Sequence, residues 1–327
     1  MIEEKPSCHY LFENGHRCDE EPTSDGHCFW HSKNIIKDKP KDKVKLEAWA
    51  KSGKSMEGFS LRYAKLDHIN LVNYGSDEGY NLSKADLFHA DLTGAHLYQL
   101  NMANASLMKT DLSHANLNSA DLTNAQLLGV IFANTKIEHT KWGTELCQEK
   151  AGEQVLKKES RAAALDLHEQ AEEIYRNLRK ATESRGLFEN AGHFFYKEMI
   201  MRRRQLDRWT WPWAFSKLVD AFCGYGEKPL RVVLFSLSLI FICGLIYAGI
   251  GIDHNGYVVA WRYEYGFTQN LINLLDCLYF SVVTFTTVGY GDLTPFGWSK
   301  PIAGLEAFIG SFTLALFVVV FVKKMTR

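Results

Sequence analysis

Residues 286–292 read Thr286-Thr287-Val288-Gly289-Tyr290-Gly291-Asp292, a polar, glycine-bearing stretch with apolar sequence on both sides. Before it, residues 232–251 (VVLFSLSLIFICGLIYAGIG) run 20 positions without a charge. After it, residues 302–322 (IAGLEAFIGSFTLALFVVVFV) run 21 positions with Glu306 as the single charge. A bilayer core needs about 20 helical residues, so both segments are long enough to span it. Residues 271–285 (LINLLDCLYFSVVTF) are apolar but only 15 long, which suits a half-helix that enters the membrane and turns back. Irregular backbone at membrane depth is tolerated only when buried in protein or facing water. The heptapeptide after the half-helix is therefore expected to line an aqueous path with its carbonyls.

A cation that sheds its hydration shell needs other oxygen ligands. Carbonyl dipoles supply them without a net charge that would trap the ion. Successive carbonyls point the same way only when backbone conformations alternate, and Gly289 and Gly291 enter the left-handed region at no steric cost. Thr287 can add a hydroxyl oxygen at the inner end, Val288 and Tyr290 are expected to pack behind the path, and Asp292 stands at the outer mouth.

This stretch, set within span, half-helix, loop and span, resembles the signature of the two-span potassium channels. The resemblance covers residues 230–327 and implies a homotetramer that passes K+ passively through a filter of Thr287, Val288, Gly289, Tyr290, Gly291 and Asp292. Thr286, Tyr279 and Glu306 are expected to support that filter. Some relatives hold the outer-mouth aspartate through a glutamate behind the filter; here that position is Val283. Tyr279 is expected to hold Asp292 instead, or to pack as an aromatic beside Phe280. Glu306, a charge within a span, is expected to pair or brace rather than touch ions. Gly310 is either a gating hinge, as in relatives that bend there, or a close-packing position.

The charge pattern gives orientation. Lys217, Lys228 and Arg231 precede the first span, Lys323, Lys324 and Arg327 follow the second, and the connecting segment holds only Arg262 and Lys300. Both termini are expected in the cytoplasm, at the cell inner (plasma) membrane, with lipid as one partner. The formal charge of -1 over 327 residues argues against nucleic acid as another. Seven cysteines without regular pairing do not form a secreted disulfide framework, and MIEEKPSCHY has no apolar core for a signal peptide. No span carries an arginine at every third position, so voltage sensing of the usual kind is not expected. Any sensor is expected N-terminal to the pore.

There the chain changes period. Leu61, Leu66 and Leu71, then Leu82, Leu87, Leu92, Leu97, Met102, Leu107, Leu112, Leu117, Leu122, Leu127, Phe132, Ile137 and Trp142, recur every five residues. Small residues stand two places ahead (Ala85, Ala90, Ala95, Ala105, Ala115, Ala120, Ala125), often with Asp or Asn between. Neither helix nor flat strand has period five, whereas a solenoid with four units per coil does. The pattern resembles pentapeptide-repeat proteins, implying a right-handed quadrilateral β-helix of about four coils. Leu71 to Leu82 is eleven residues, which requires a one-residue bulge or loop in 73–80. From Leu82 to Trp142 the acids Asp86, Asp91, Asp111, Asp121 and Glu138 face Lys84, Lys109, Lys136 and Lys141, a balance unsuited to mimicry of DNA.

At the N-terminus Cys8, Cys18, Cys28 and His31 are spaced C-x9-C-x9-C-x2-H, a donor set suited to a closed tetrahedral structural zinc, with His9, His16 and His27 as alternative ligands. Residues 153–208 show apolar positions at helical spacing, with Gly186 and Gly192 as candidate breaks in a hairpin. Trp209, Trp211 and Trp213 mark an interfacial helix. The expected order is a zinc module (1–35), a linker (36–58), the β-helix (59–142), a helical connector (143–208), the interfacial helix (209–229) and the pore (230–327). The chain is read as a multi-domain, non-enzymatic K+ channel whose N-terminal part assembles or regulates it, with its cytosolic ligand unassigned. The alternative is a membrane-anchored repeat scaffold with a silent pore.

Overall fold

The computed structural model describes residues 7–158 and 160–325; the start of the expected zinc module and Arg327 lie outside the described residues. The chain divides into two compact units, Met1–Asp207 and Arg208–Arg327.

In the first unit the period-five residues line a continuous core. Leu61, Leu87, Leu97, Leu107 and Leu117 are fully buried, as are Ala85, Ala95, Ala105 and Ala115 between them. Each buried Leu contributes roughly 2 kcal/mol. Single-residue parallel bridges join successive coils in four ladders: 60-86-106-126, 65-91-111-131, 70-96-116-136 and 81-101-121-141. The Asp or Asn that opens each unit has a local task. Asp86, Asp91, Asp111 and Asp121 each accept, through Oδ1, the amide two residues on, at 2.8–3.1 Å. This Asx turn leads into a left-handed residue at His89, Gly94, His114 and Asn124, which swings the chain round the corner. Threonines at small positions stay satisfied: Thr110 donates to the Leu87 carbonyl and Thr135 to that of Leu112, both at 2.8 Å.

The insertion differs from the sequence reading. Partners in the first three ladders start 26 residues apart (Ser60 with Asp86), whereas later ones stand 20 apart (Asp86 with Ser106). Leu71 to Leu82 is therefore one side of a coil plus six looped residues, not two sides plus one. Counting core positions alone could not tell these apart, because both arrive at Leu82 in phase.

Both ends of the stack are covered. The expected linker carries helix α1 (Pro40–Lys51), which buries Leu46 and Ala50 and adds Trp49 to an aromatic group with Trp30 and Phe59. Three first-coil amides find acceptors there: Ser60 N–H donates to the Trp30 carbonyl, Lys65 N–H to that of Lys37, and Asn70 N–H to Glu47 Oε1. At the far end lie α2 (Cys147–Lys158), α3 (Arg161–Ser184) and α4 (Phe188–Gln205). Asn177 Nδ2 on α3 donates to the Val130 carbonyl at 2.6 Å, and Phe194 on α4 packs edge-on to Trp142. Ser160 caps α3 by accepting from Ala163 N–H, and Gly186, at φ +72, turns the α3–α4 hairpin. Gly192 is no break; it sits buried inside α4, where its propensity cost of about 1 kcal/mol is outweighed by packing.

The second unit starts with α5 (Trp211–Cys223), closed by Gly224 in the left-handed region and a single 3-10 turn. Then come α6 (Pro229–Ile250), strands β1 (Ile252–His254) and β2 (Tyr257–Val259), α7 (Phe267–Phe285), β3 (Thr294–Pro295) and α8 (Ser299–Met325). Helices α6 and α8 are long and apolar enough to cross a membrane. Helix α7 begins four residues before the expected position 271, because Asn270 and Asn273 have tasks beyond polarity. Asn270 exchanges hydrogen bonds with the Arg262 backbone, and Asn273 donates to the Ala260 carbonyl. They tie α7 to the segment after the antiparallel sheet β2-β1-β3, which sequence periodicity did not show. Gly244 on α6 lets α7 approach; a Cβ there would lie 2.5 Å from Leu278 Cδ2.

Candidate ion path and metal centre

Helix α7 ends at Phe285, and its last turn holds the start of the heptapeptide. Thr287 N–H donates to the Thr284 carbonyl at 3.0 Å and Val288 N–H to that of Val283 at 3.1 Å. The backbone then alternates, with left-handed φ at Thr287 (+57), Gly289 (+58) and Gly291 (+82) and none at Val288 or Tyr290 between them. Val288 and Tyr290 are exposed in the single chain, at 53% and 71%. Tyr279, two turns up α7, is exposed in the single chain at 40%. Thr286 turns its hydroxyl back onto the Val282 carbonyl at 2.8 Å. Val283 is buried in the helix packing.

Glu306 is buried, as a charge within a span must be to stay out of lipid. The Tyr247 hydroxyl on α6 donates to its Oε2 at 2.6 Å, and the Ser281 hydroxyl on α7 contacts its Oε1. Ser281 also reaches the Ile240 carbonyl on α6 at 2.9 Å. One carboxyl group on α8 thus joins α6 and α7. Sequence reading marked Glu306 but missed Tyr247 and Ser281, whose only signal is a hydroxyl in an apolar run. Gly310 lies against the end of α7; a Cβ there would sit 2.1 Å from the Phe285 carbonyl oxygen. Helix α8 continues through Gly310 without interruption, so its glycine serves close packing in this conformation.

In the first unit, Cys8, Cys18, Cys28 and His31 converge, all buried, with ligand atoms within 4.8 Å of one another. Cys18 Sγ stands 3.9 Å from Cys28 Sγ, and His31 Nδ1 stands 3.1 Å from Cys28 Sγ and 3.6 Å from Cys8 Sγ. Ligands held at about 2.3 Å round a tetrahedral ion stand roughly 3.7 Å apart, so the set fits a metal ion. Tight pairing between Phe12 N–H and the His16 carbonyl, and between Cys18 N–H and that of Tyr10, folds the segment back on itself. His31 Nε2 donates to the Glu57 carbonyl at 3.0 Å, which leaves Nδ1 as the lone-pair atom facing the sulfurs. Tyr10 stacks on the imidazole at 4.0 Å. Burial pushes the Cys18 thiol up to about 12 and the Cys28 thiol upward, and pushes the His31 imidazole down. None of His9, His16 and His27 belongs to the cluster.

Residues 239–327 match the ion channel family, and residues 81–118 and 105–141 match pentapeptide repeats (8 copies). Among solved structures, the chain is similar to HetL, a pentapeptide repeat protein involved in heterocyst differentiation regulation from the cyanobacterium Nostoc, at 26% identity and TM-score 0.14. That match covers 27% of this chain and 50% of HetL. A pentapeptide repeat protein of the Arabidopsis thaliana thylakoid lumen matches at 24% identity and TM-score 0.14, over 27% of this chain and 61% of that one. Rfr23, from the cyanobacterium Cyanothece, matches at 22% identity and TM-score 0.20, over 31% of this chain and 92% of that one. The chain thus spans half to three-fifths of the first two structures' length. With the repeats in its first unit and the paired spans in its second, the chain joins pentapeptide repeats to a C-terminal segment of the ion channel family.

Proposed function

We propose that the chain is one subunit of a homotetrameric potassium channel, with Thr287–Asp292 as its selectivity filter. The observation that carries this reading is the alternation of left-handed φ at Thr287, Gly289 and Gly291 in the loop that follows α7. With every second residue inverted, successive carbonyls face one side and can replace the hydration of K+. The negative end of the α7 dipole lies at the same loop and favours a cation there. The exposure of Val288 and Tyr290 in one chain suits side chains that neighbouring subunits cover. Thr286, Tyr279 and Glu306 brace the filter, with Tyr279 in the place of the glutamate that Val283 does not supply. Gly310 seats α8 against α7 and, on opening, is the position where the helix can bend.

The repeats form a right-handed quadrilateral β-helix that assembles or regulates the channel in the cytosol. Cys8, Cys18, Cys28 and His31 hold a structural Zn2+ whose binding stabilises a module with little core of its own. With four protein ligands the ion keeps no open position for chemistry, and the chain is not an enzyme. Both termini face the cytoplasm of the inner (plasma) membrane, and α5 lies in the headgroup layer through Trp211, with Trp209 just ahead of it.

The test is K+ efflux from liposomes holding the purified chain. Flux is expected to favour K+ over Na+, to be blocked by Ba2+ and to disappear in Gly289→Val, where a β-branched side chain at φ +58 disrupts the loop. Sealed liposomes containing intact tetramers would refute the channel and leave the scaffold reading.

A further inference from the structure

Lys37 is the unusual charge of the first unit. It is fully buried, and among the described residues its ammonium makes one hydrogen bond, to the Ser32 carbonyl at 2.7 Å. Beyond that it lies 5.6 Å from the Phe29 ring. Among the described residues no carboxylate stands within ion-pair distance of it. Asp25 accepts from Thr23, Ser32 and Asn34 and Asp42 from Lys39 N–H, and neither carboxylate reaches the ammonium. A buried ammonium without a counter-charge is strongly unfavourable, and removing one partner of a buried pair has the same effect. Ser32 directly follows His31 and its N–H donates to the Cys28 carbonyl at 2.9 Å, while Phe29 directly follows Cys28, so the ammonium sits against the segment that carries two of the four candidate ligands.

We infer that Lys37 is the counter-charge of the metal–thiolate centre. A divalent ion bound by three thiolates and one neutral imidazole carries a net charge of -1, and the Lys37 ammonium brings the buried assembly to zero. The lysine then holds charge rather than shape, with its stem packed under the module and its head against Ser32. This rests on the zinc reading of Cys8, Cys18, Cys28 and His31.

The experiment compares zinc content and zinc release in the full purified chain, with a chromogenic chelator as the probe. Wild type is expected to hold one zinc per chain, and Lys37→Met to release it at least about tenfold faster, the scale seen when groups behind metal ligands are removed. Lys37→Arg should retain most of the wild-type lifetime. Cys8→His supplies the second axis. It makes a two-thiolate, two-imidazole centre of zero charge, and in that background Lys37→Met is expected to slow release rather than speed it. If Lys37→Met fails to fold alone but folds in the Cys8→His background, the charge account is supported; failure in both backgrounds overturns it. Equal release from wild type and Lys37→Met also overturns it, leaving the metal site intact. A wild type free of zinc sinks the metal reading itself.

Discussion

Thr287 is the one β-branched residue among the described residues with left-handed φ. Such a conformation carries of order 1–3 kcal/mol of strain and survives only where the surroundings enforce it. Here the bond from its N–H to the Thr284 carbonyl supplies part of that constraint. Thr287→Gly is expected to raise stability by about 1 kcal/mol and to lower K+ over Na+ selectivity, because the hydroxyl is gone. Thermal unfolding and liposome flux read the two effects separately. Glu306 behaves differently. Glu306→Gln keeps a partner for the Tyr247 hydroxyl and should fold as the wild type does. Glu306→Leu strands the Tyr247 hydroxyl in an apolar environment, at roughly 1–3 kcal/mol, while Ser281 keeps the Ile240 carbonyl. Detergent-solubilised protein should show that difference as a lower unfolding temperature for the leucine variant alone. Gly310→Ala tests packing against bending: its methyl meets the Phe285 carbonyl, so loss of folded yield is expected, where a pure hinge would give folded channels with altered opening.

Among the elements, the metal module has two opposed pH responses. Without metal, burial raises the Cys18 thiol to about 12, so the fold prefers the protonated form. That stability is full below the ordinary thiol value of about 9 and is lost as pH rises towards 12. With zinc the thiolates are required, and binding weakens as pH falls. Circular dichroism of the chelated and zinc-loaded forms should therefore show stability profiles of opposite slope. The capping contacts are equally local. Asn177→Ala leaves the Val130 carbonyl without its donor and is expected to cost about 1 kcal/mol in chemical denaturation.

The same scale explains what could be read beforehand. Leu61 through Trp142 revealed the coil because a solenoid repeats its burial at a fixed local interval, and residues 286–292 because glycines and hydroxyls interrupt an apolar run. Helix α1 was hidden because its apolar core contacts come from Leu46, Trp49 and Ala50 in its second half, too few to set a period among lysines. The bonds of Tyr247 and Ser281 to Glu306 span 59 and 25 residues, and no local pattern carries a contact of that range. The six-residue insertion kept the core in phase, so only pairing between coils could reveal its true length.

For the whole molecule, the two units allow separate tests of permeation and control. Removing residues 1–142 is expected to alter tetramer yield or open probability, while the K+ over Na+ ratio stays within about twofold because the proposed filter, Thr287–Asp292, lies in the second unit alone. Single-channel recording resolves these quantities, and unchanged assembly and opening would deny the N-terminal unit a regulatory part.

A stack of coils with bare rims exposes rows of amides and carbonyls that can recruit further copies, the route by which β-rich chains seed fibrils. Here Trp30, Lys37 and Glu47 occupy the first rim, and Asn177 blocks the last. Concentrated samples should accordingly stay free of thioflavin-positive aggregate, and stripping the helices from either rim should convert a finite rod into a nucleus for end-on growth.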